Sequence, residues 1–310
     1  MAFIKAAYAA YGSTALFVLL WGSAAIFAEL GLQHASAFAF LLLRFALASA
    51  VLGAIGLRRR RWLPAPGTRL RVAATGALLT GGYTICYLLS LEDGIKPGLL
   101  ATILGAQPIL TLLLTERRYG AARLAGLMLA LGGLALIVLR GTGTPTLTTN
   151  GIGYALTALA CITIGSLLQK RLRQAPIDVL PLQNLVSLAL CAGFAAFKPL
   201  TIEPGAALVV ALVWMGLVIS VLAQLLLYRL MSGGNLVNVT SMFYLVPIVT
   251  AGMDYVCFGH RLHLMEMVGM GAILAGLALA LRPQRPTRAL SEPGEACAAH
   301  ETAATDADSR

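Results

Sequence analysis

Along most of its length the chain sets long apolar runs between short polar or charged interruptions, without the alternation of a half-buried strand. A helix needs roughly 20 apolar residues to cross the hydrocarbon core of a bilayer. Ten runs of about that length occur, at 13–31, 36–57, 70–91, 96–115, 122–140, 151–169, 178–197, 206–231, 236–256 and 264–282. Most connections are short, which makes neighbouring helices antiparallel. The pattern predicts an all-α polytopic membrane protein with ten transmembrane helices.

Two of the runs are interrupted at mid-length by proline. The first, KPGLLATILGAQPILTLLLTERR from Lys96 to Arg118, carries Gln107 and Pro108; the second, from Gly234 to Arg261, carries Pro247 at the corresponding depth. A proline inside a helix removes one backbone hydrogen bond and kinks it, and the exposed backbone then needs protein or water beside it. Each interrupted run is followed by a segment with two glycines at one spacing, Gly126 and Gly133 in the first case, Gly269 and Gly276 in the second. The chain therefore reads as two copies of one unit, offset by about 140 residues, as in repeat-built transporters. The expected architecture is two inverted five-helix repeats, 13–140 and 150–282, joined by a polar linker and followed by a disordered cytoplasmic tail, 283–310. The paired glycines form a stripe suited to close helix packing, within a monomer or across a homodimer.

Composition agrees with lipid as the main solvent: 58% of the 310 residues are hydrophobic and 12% charged, with a mean hydropathy of +0.82. A net charge of +10 does not indicate nucleic acid here, because the basic residues fall between apolar runs rather than on a soluble face. Arg58 to Arg61, Arg69, Arg71, Arg117, Arg118, Arg123, Lys170, Arg171, Arg173, Arg229, Arg282, Arg285 and Arg288 occupy alternate connections; the others hold only Lys96, Arg140, Lys198 and Arg261. The positive-inside rule then puts both termini in the cytoplasm, with the cell inner membrane as the expected location. The first run reads as an uncleaved span. Five cysteines without paired spacing, Cys86, Cys161, Cys191, Cys257 and Cys297, read as small core residues.

Few polar or aromatic side chains lie at mid-depth. Trp21 in the first run, Tyr83 and Tyr87 four apart in the third, Gln107 beside Pro108, Gln224 in the eighth, and Ser241 and Tyr244 before Pro247 are the candidate substrate-binding residues. Aromatic faces with a few amides suit a zwitterion bearing an apolar side chain. Arg44, a third of the way into the second run, costs at least about 2 kcal/mol if it faces lipid. It is expected in an ion pair with Glu29 or Asp254, as the anchor of a substrate carboxylate, or snorkelling to the membrane surface. No sequence pattern for a nucleophile with its base, a carboxylate pair or a phosphate-binding loop occurs, so no catalytic site, cofactor or metal is expected. His260 and His263, three apart, read as solvated loop residues. No carboxylate lies at mid-depth to relay protons.

The segments LLLRFALA (Leu41–Ala48), LGAQPILTLLLTER (Leu104–Arg117) and FYLVPIV (Phe243–Val249), in this order within two five-helix units, resemble the EamA branch of the drug/metabolite transporter superfamily. The resemblance spans 13–282. It implies ten helices in two inverted repeats and a central cavity lined by the kinked helices, with Pro108, Gln107, Pro247 and Tyr244 on the cavity side and Arg44 as the family's second-helix arginine. It also implies export of amino acids or other small metabolites. Two departures stand out. The usual GERL after the ninth helix reads Gly259, His260, Arg261, Leu262, and the first copy has four fewer residues between proline and glycine stripe than the second. The mid-helix glutamate of the small multidrug transporters has no counterpart in the first run. The expected function is export of a small organic molecule, an amino acid foremost, through the bilayer by alternating access. Import, multidrug export, or a membrane enzyme or sensor are the alternatives.

Overall fold

A computed structural model of the chain describes residues 2–61, 63–117, 119–139, 148–258 and 264–282. Within them it describes the side chains of 12–61, 63–97, 99–117, 119–138, 148–253 and 264–282. Among the described residues there are helices and connecting turns but no sheet; one isolated antiparallel bridge joins Ala35 to Ile202. The helices are α1 (Ala2–Leu32), α2 (Ala37–Arg58), α3 (Arg69–Glu92), α4 (Pro97–Leu104 and Gln107–Thr115), α5 (Ala121–Leu139), α6 (Thr149–Arg171), α7 (Pro176–Ala195), α8 (Ala206–Gly233), α9 (236–258) and α10 (Leu264–Ala280). Each apolar run of the sequence falls on one of them. Eight helices, α1–α3 and α5–α9, are long and apolar enough to cross a membrane, and α4 and α10 are shorter apolar helices. The chain is thus an all-helical, multi-pass membrane protein. The tail, most of the linker and the loop holding His260 and His263 lie outside the described residues.

The two proline runs depart from regular α-helix near their prolines, α4 by a break and α9 by a tightened turn. In α4 the first segment ends at Leu104 and the second starts at Gln107; in α9 a short 3-10 turn, Met242–Leu245, precedes the segment that starts at Val246. Pro108 and Pro247 each occupy the second position of the downstream segment, where the missing N–H would have had no helical partner. A break in an apolar environment leaves backbone carbonyls to satisfy. At α4 the carbonyl of Gly105 accepts a 2.5 Å hydrogen bond from the Tyr244 hydroxyl of α9, so one broken helix caps the other.

Two further helices are widened rather than broken. Ala77–Gly82 in α3 and Trp214–Ala223 in α8 have the i to i+5 bonding of a π-helix. In α3 the wide turn coincides with Thr80, Gly81 and Gly82, and a Cβ on Gly82 would stand 2.8 Å from the Ala77 carbonyl.

The most extensive packing is between α5 and α10, along the glycine stripes. A Cβ built on Gly126 would come 2.5 Å from the Gly276 carbonyl, and one on Gly133 would come 2.6 Å from that of Gly269. The stripe is therefore used within the monomer, where it lets the backbones touch. Early residues of α5 meet late residues of α10, so the pair is antiparallel. α2 and α7 behave alike: Phe38, Leu41 and Phe45 cluster with Cys191 and Ala195, while Arg59 reaches Asp178 at 3.0 Å at the other end. Reciprocal contacts complete the bundle, α3 on α6 answered by α8 on α1, and α4 on α6 answered by α9 on α1.

Two stability predictions follow from this packing. Gly133→Ala is expected to cost about 1–3 kcal/mol by pushing α5 off α10. The adjacent Gly132→Ala, with nothing within 4 Å of its Cβ, should leave the melting temperature in detergent unchanged or slightly raised; equal melting of the two variants contradicts the packing. Tyr244→Phe strands the Gly105 carbonyl and should lower stability by about 1–3 kcal/mol, read in the same melt, and a variant as stable as the wild type would remove the cap from the account.

Candidate functional site

The broken and widened helices converge on one small cavity between the two copies. From the first copy it is lined by Trp21 of α1, Arg44 of α2, Leu79, Thr80, Tyr83 and Thr84 of α3, and Gln107 of α4. The second supplies Ile162 and Ser166 of α6, Gln224, Leu227 and Met231 of α8, and Phe243 of α9. Its volume is about 60 Å³, well below the ~300 Å³ at the lower end of small-molecule pockets. In this conformation it has room for a few waters and not for an amino acid.

Its polar groups are held by local bonds. Gln107, the residue before the kink proline, donates from Nε2 to Ser166 Oγ at 3.2 Å, and Ser166 donates onward to the Ile162 carbonyl at 2.6 Å. Arg44 donates from Nε to Ser220 Oγ at 2.7 Å. Ser220 itself donates to the carbonyl of Met215, five residues back, in the widened part of α8. Thr80 Oγ1, at the cavity wall, is buried without a hydrogen bond of ordinary geometry, as is the Tyr228 hydroxyl outside the lining. Trp21 forms a three-ring cluster with Phe17 and Phe243, with centroids 5.2–5.5 Å apart.

Of the residues singled out in the sequence, Trp21, Tyr83, Gln107, Gln224 and Arg44 are brought together here. Three are not. Tyr87 touches Tyr83, at 6.0 Å between ring centroids, but packs into the cluster of Ile95, Leu100 and Ala155. Ser241 is buried and turns its hydroxyl back onto the Val237 carbonyl at 2.6 Å. Tyr244 is buried with its hydroxyl spent on Gly105. Pro108 is buried behind Gln107. The expected pairing of Arg44 with Glu29 is not formed, because Glu29 lies beyond the cavity, nearer the other end of α1. The side chain of Asp254 lies outside the described residues.

Glu29 and Pro247 line a second, larger space of about 700 Å³, with Ala25, Ile26, Leu30 and Gln33 of α1, Ile137 and Val138 of α5, and Val246, Thr250 and Ala251 of α9. This vestibule and the small cavity lie on successive turns of α1. Between them Gly22 lies against Val249, which a Cβ would meet at 2.7 Å, and Thr250 donates to the Gly22 carbonyl at 2.9 Å.

At the opposite, arginine-rich end the copies are fastened together. Arg123 at the start of α5 makes a two-pronged contact with Glu116, at 2.7 and 2.8 Å, and its other nitrogen donates to Asn238 of α9 at 2.7 Å. Asn235 caps the start of α9 and donates to Glu116 at 3.0 Å. Lys170 of α6 bonds the Gly234 carbonyl. Sequence reading placed Arg123 only in a run of positive charge. Glu116 beside that run, and Asn235 and Asn238 opening the next proline run, were the available signal.

The model of the EamA-like transporter family matches this chain twice, at residues 9–139 and 149–282. An uncharacterized transporter of Archaeoglobus fulgidus is 25% identical over 285 residues, 87% of this chain and 96% of its own. A solved crystal structure superposes with a TM-score of 0.74 at 21% identity, over 88% of this chain and 96% of that one, and shares the fold. With two family matches that together span nearly all the described helices, the chain belongs to the EamA-like transporter family of the drug/metabolite transporter superfamily, whose members are transporters rather than enzymes.

Proposed function

We propose that this protein is a secondary transporter of the cell inner membrane that exports a small organic metabolite, an amino acid in the first instance, by alternating access. The observation that carries the reading is the small polar cavity at the breaks of α4 and α9, walled by both copies and built from Trp21, Tyr83, Gln107 and Gln224. Sites between repeats, flanked by discontinuous helices, are the usual seat of substrate in transporters of this kind.

The two copies are read as inverted repeats of five helices, 13–140 and 150–282. In support, the equivalent helices that pair with each other, α2 with α7 and α5 with α10, run antiparallel, as inversion about an axis in the membrane plane demands. By the positive-inside rule the arginine-rich end is cytoplasmic and both termini are inside. The conformation is then open outward through the vestibule at Glu29 and fastened inward through Arg123, Glu116, Asn235 and Asn238. A substrate-sized cavity requires the copies to separate around Gln107 and Phe243, and release to one side at a time follows if the vestibule narrows when the inner contact parts. Rocking of one copy on the other about the α5–α10 contact provides that motion, with Pro108 and Pro247 as the flexible points.

Flux of labelled amino acid in proteoliposomes tests the site. Gln107→Ala and Gln224→Ala are expected to reduce initial rates by about tenfold, the effect of one lost polar contact to substrate, with unchanged reconstitution. Full flux through both variants, or chemical conversion of substrate without movement, contradicts the proposal.

A further inference from the structure

Among the described residues that line the small cavity, one carries a formal charge. Arg44 is the charged member of its lining, and the other polar groups there, among them Thr80, Tyr83, Gln107 and Gln224, are neutral. Among the described residues no carboxylate pairs with Arg44, and the structure gives it one polar contact, from Nε to Ser220. Its guanidinium carbon stands 5.8 Å from the Phe45 ring, a contact that offers weak compensation at most. The nearest carboxylate on α1, Glu29, sits eight residues beyond Trp21, or about 12 Å along the helix, and faces the vestibule.

An unpaired guanidinium inside an apolar bundle is costly, and the usual remedy is a partner carboxylate or a water-filled site. Here, with no carboxylate beside Arg44 among the described residues, a ligand entering the cavity is in a position to supply an anion. We propose that Arg44, oriented by Ser220, seats the carboxylate of the transported metabolite, so that the protein selects small carboxylates over the corresponding amines. This rests on the transporter reading and gives its cavity a ligand class.

The geometry supports a division of labour. A guanidinium has five N–H donors in a planar fork, and the Nε hydrogen is taken by Ser220, which leaves both Nη groups for a two-pronged contact with a carboxylate. Ser220 stays in place because its own hydrogen goes to Met215 O, five residues back at 2.9 Å, a distance the widened stretch of α8 supplies. Ser220 is thus a positioning residue: it fixes the plane of the fork without touching the ligand. An amine without a carboxylate would bring a second positive charge into a cavity that already holds one, and is excluded by repulsion. The amino group of a zwitterion has neutral acceptors available in the amide oxygens of Gln107 and Gln224 and the faces of Trp21 and Phe243.

The experiment uses the full-length protein, with a panel of amino acids and their decarboxylated amines as probes. Melting in detergent reads binding, and proteoliposome flux reads transport. The expected result is stabilisation by carboxylate-bearing members only, lost in Arg44→Gln. Ser220→Ala should raise KM for the transported acid about tenfold, the worth of an ordered charge-assisted contact, with the saturating rate within about twofold, and Ser220→Thr should restore KM. Stabilisation by amines as well as acids, by no carboxylate at all, or a Ser220→Ala variant changed only in melting temperature overturns the seat. The two readings fail separately. Arg44-dependent stabilisation with no flux of any bound acid removes the transporter reading and leaves the seat, whereas flux indifferent to Arg44 and Ser220 removes the seat and leaves transport.

Discussion

The structure depends on how it satisfies a broken backbone inside an apolar bundle. Pro108 cannot donate to the preceding turn, so α4 stops at Leu104 and resumes at Gln107. Water cannot be counted on at that depth, and an unmet carbonyl there costs about 1–3 kcal/mol. The donor comes from the other copy: the Tyr244 hydroxyl, beside the equivalent break before Pro247, bonds Gly105. The same prolines that weaken the two helices thereby tie them together, and they bring Gln107 and Phe243 to one cavity. Breaking the helices and building the site are one event.

Around this tie the bundle is held by shape. In lipid there is little hydrophobic gain from bringing helices together, so close approach of backbones has to supply the attraction. Gly126, Gly133, Gly269 and Gly276 do so along α5 and α10, and Gly22 does so where α1 meets α9. Polar contacts are concentrated elsewhere, at the ends. Arg123 with Glu116, Asn235 and Asn238 gathers the arginine-rich end, while Lys198 with Glu92 at 2.5 Å and the backbone bond from Ser36 to Thr201 at 2.9 Å hold the opposite one. The middle is left for a cavity whose walls are amides, hydroxyls, rings and one guanidinium. A site closed by hydrogen bonds at one end and by the Gly22–Val249 contact toward the vestibule is suited to being opened from either side.

Much of the fold was legible in the sequence because length and hydropathy are nearly sufficient in a membrane setting. Every apolar run became helical, with α4 broken just before Pro108 and α9 tightened into a 3-10 turn just before Pro247. The site was read less completely, for reasons of direction. Tyr83 and Tyr87 share a helix face as their spacing requires, but only Tyr83 reaches the cavity; Tyr87 lies a turn farther along, against Ile95 and Leu100. Ser241 can satisfy itself on its own helix, and does. Tyr244 was expected to line the cavity; its hydroxyl bonds the Gly105 carbonyl, a contact hidden until the partner run is located in space. Ser220 was missed altogether: a single serine in an apolar run gives no signal unless the turn is known to be widened, which brings it onto Arg44. Glu29 and Arg44 looked like partners because both lie toward the same end of the bundle, yet depth alone does not say which way a side chain points.

The central claim is that the two copies part at the arginine-rich end during each cycle while the α5–α10 contact holds. The most direct measurement is reversible cross-linking across that end, with Glu116→Cys and Asn235→Cys introduced into a background whose native cysteines have been replaced. Oxidation to the disulfide is predicted to abolish flux in proteoliposomes and reduction to restore it. Undiminished flux through the cross-linked protein would show that the copies need not separate there, and would contradict the account.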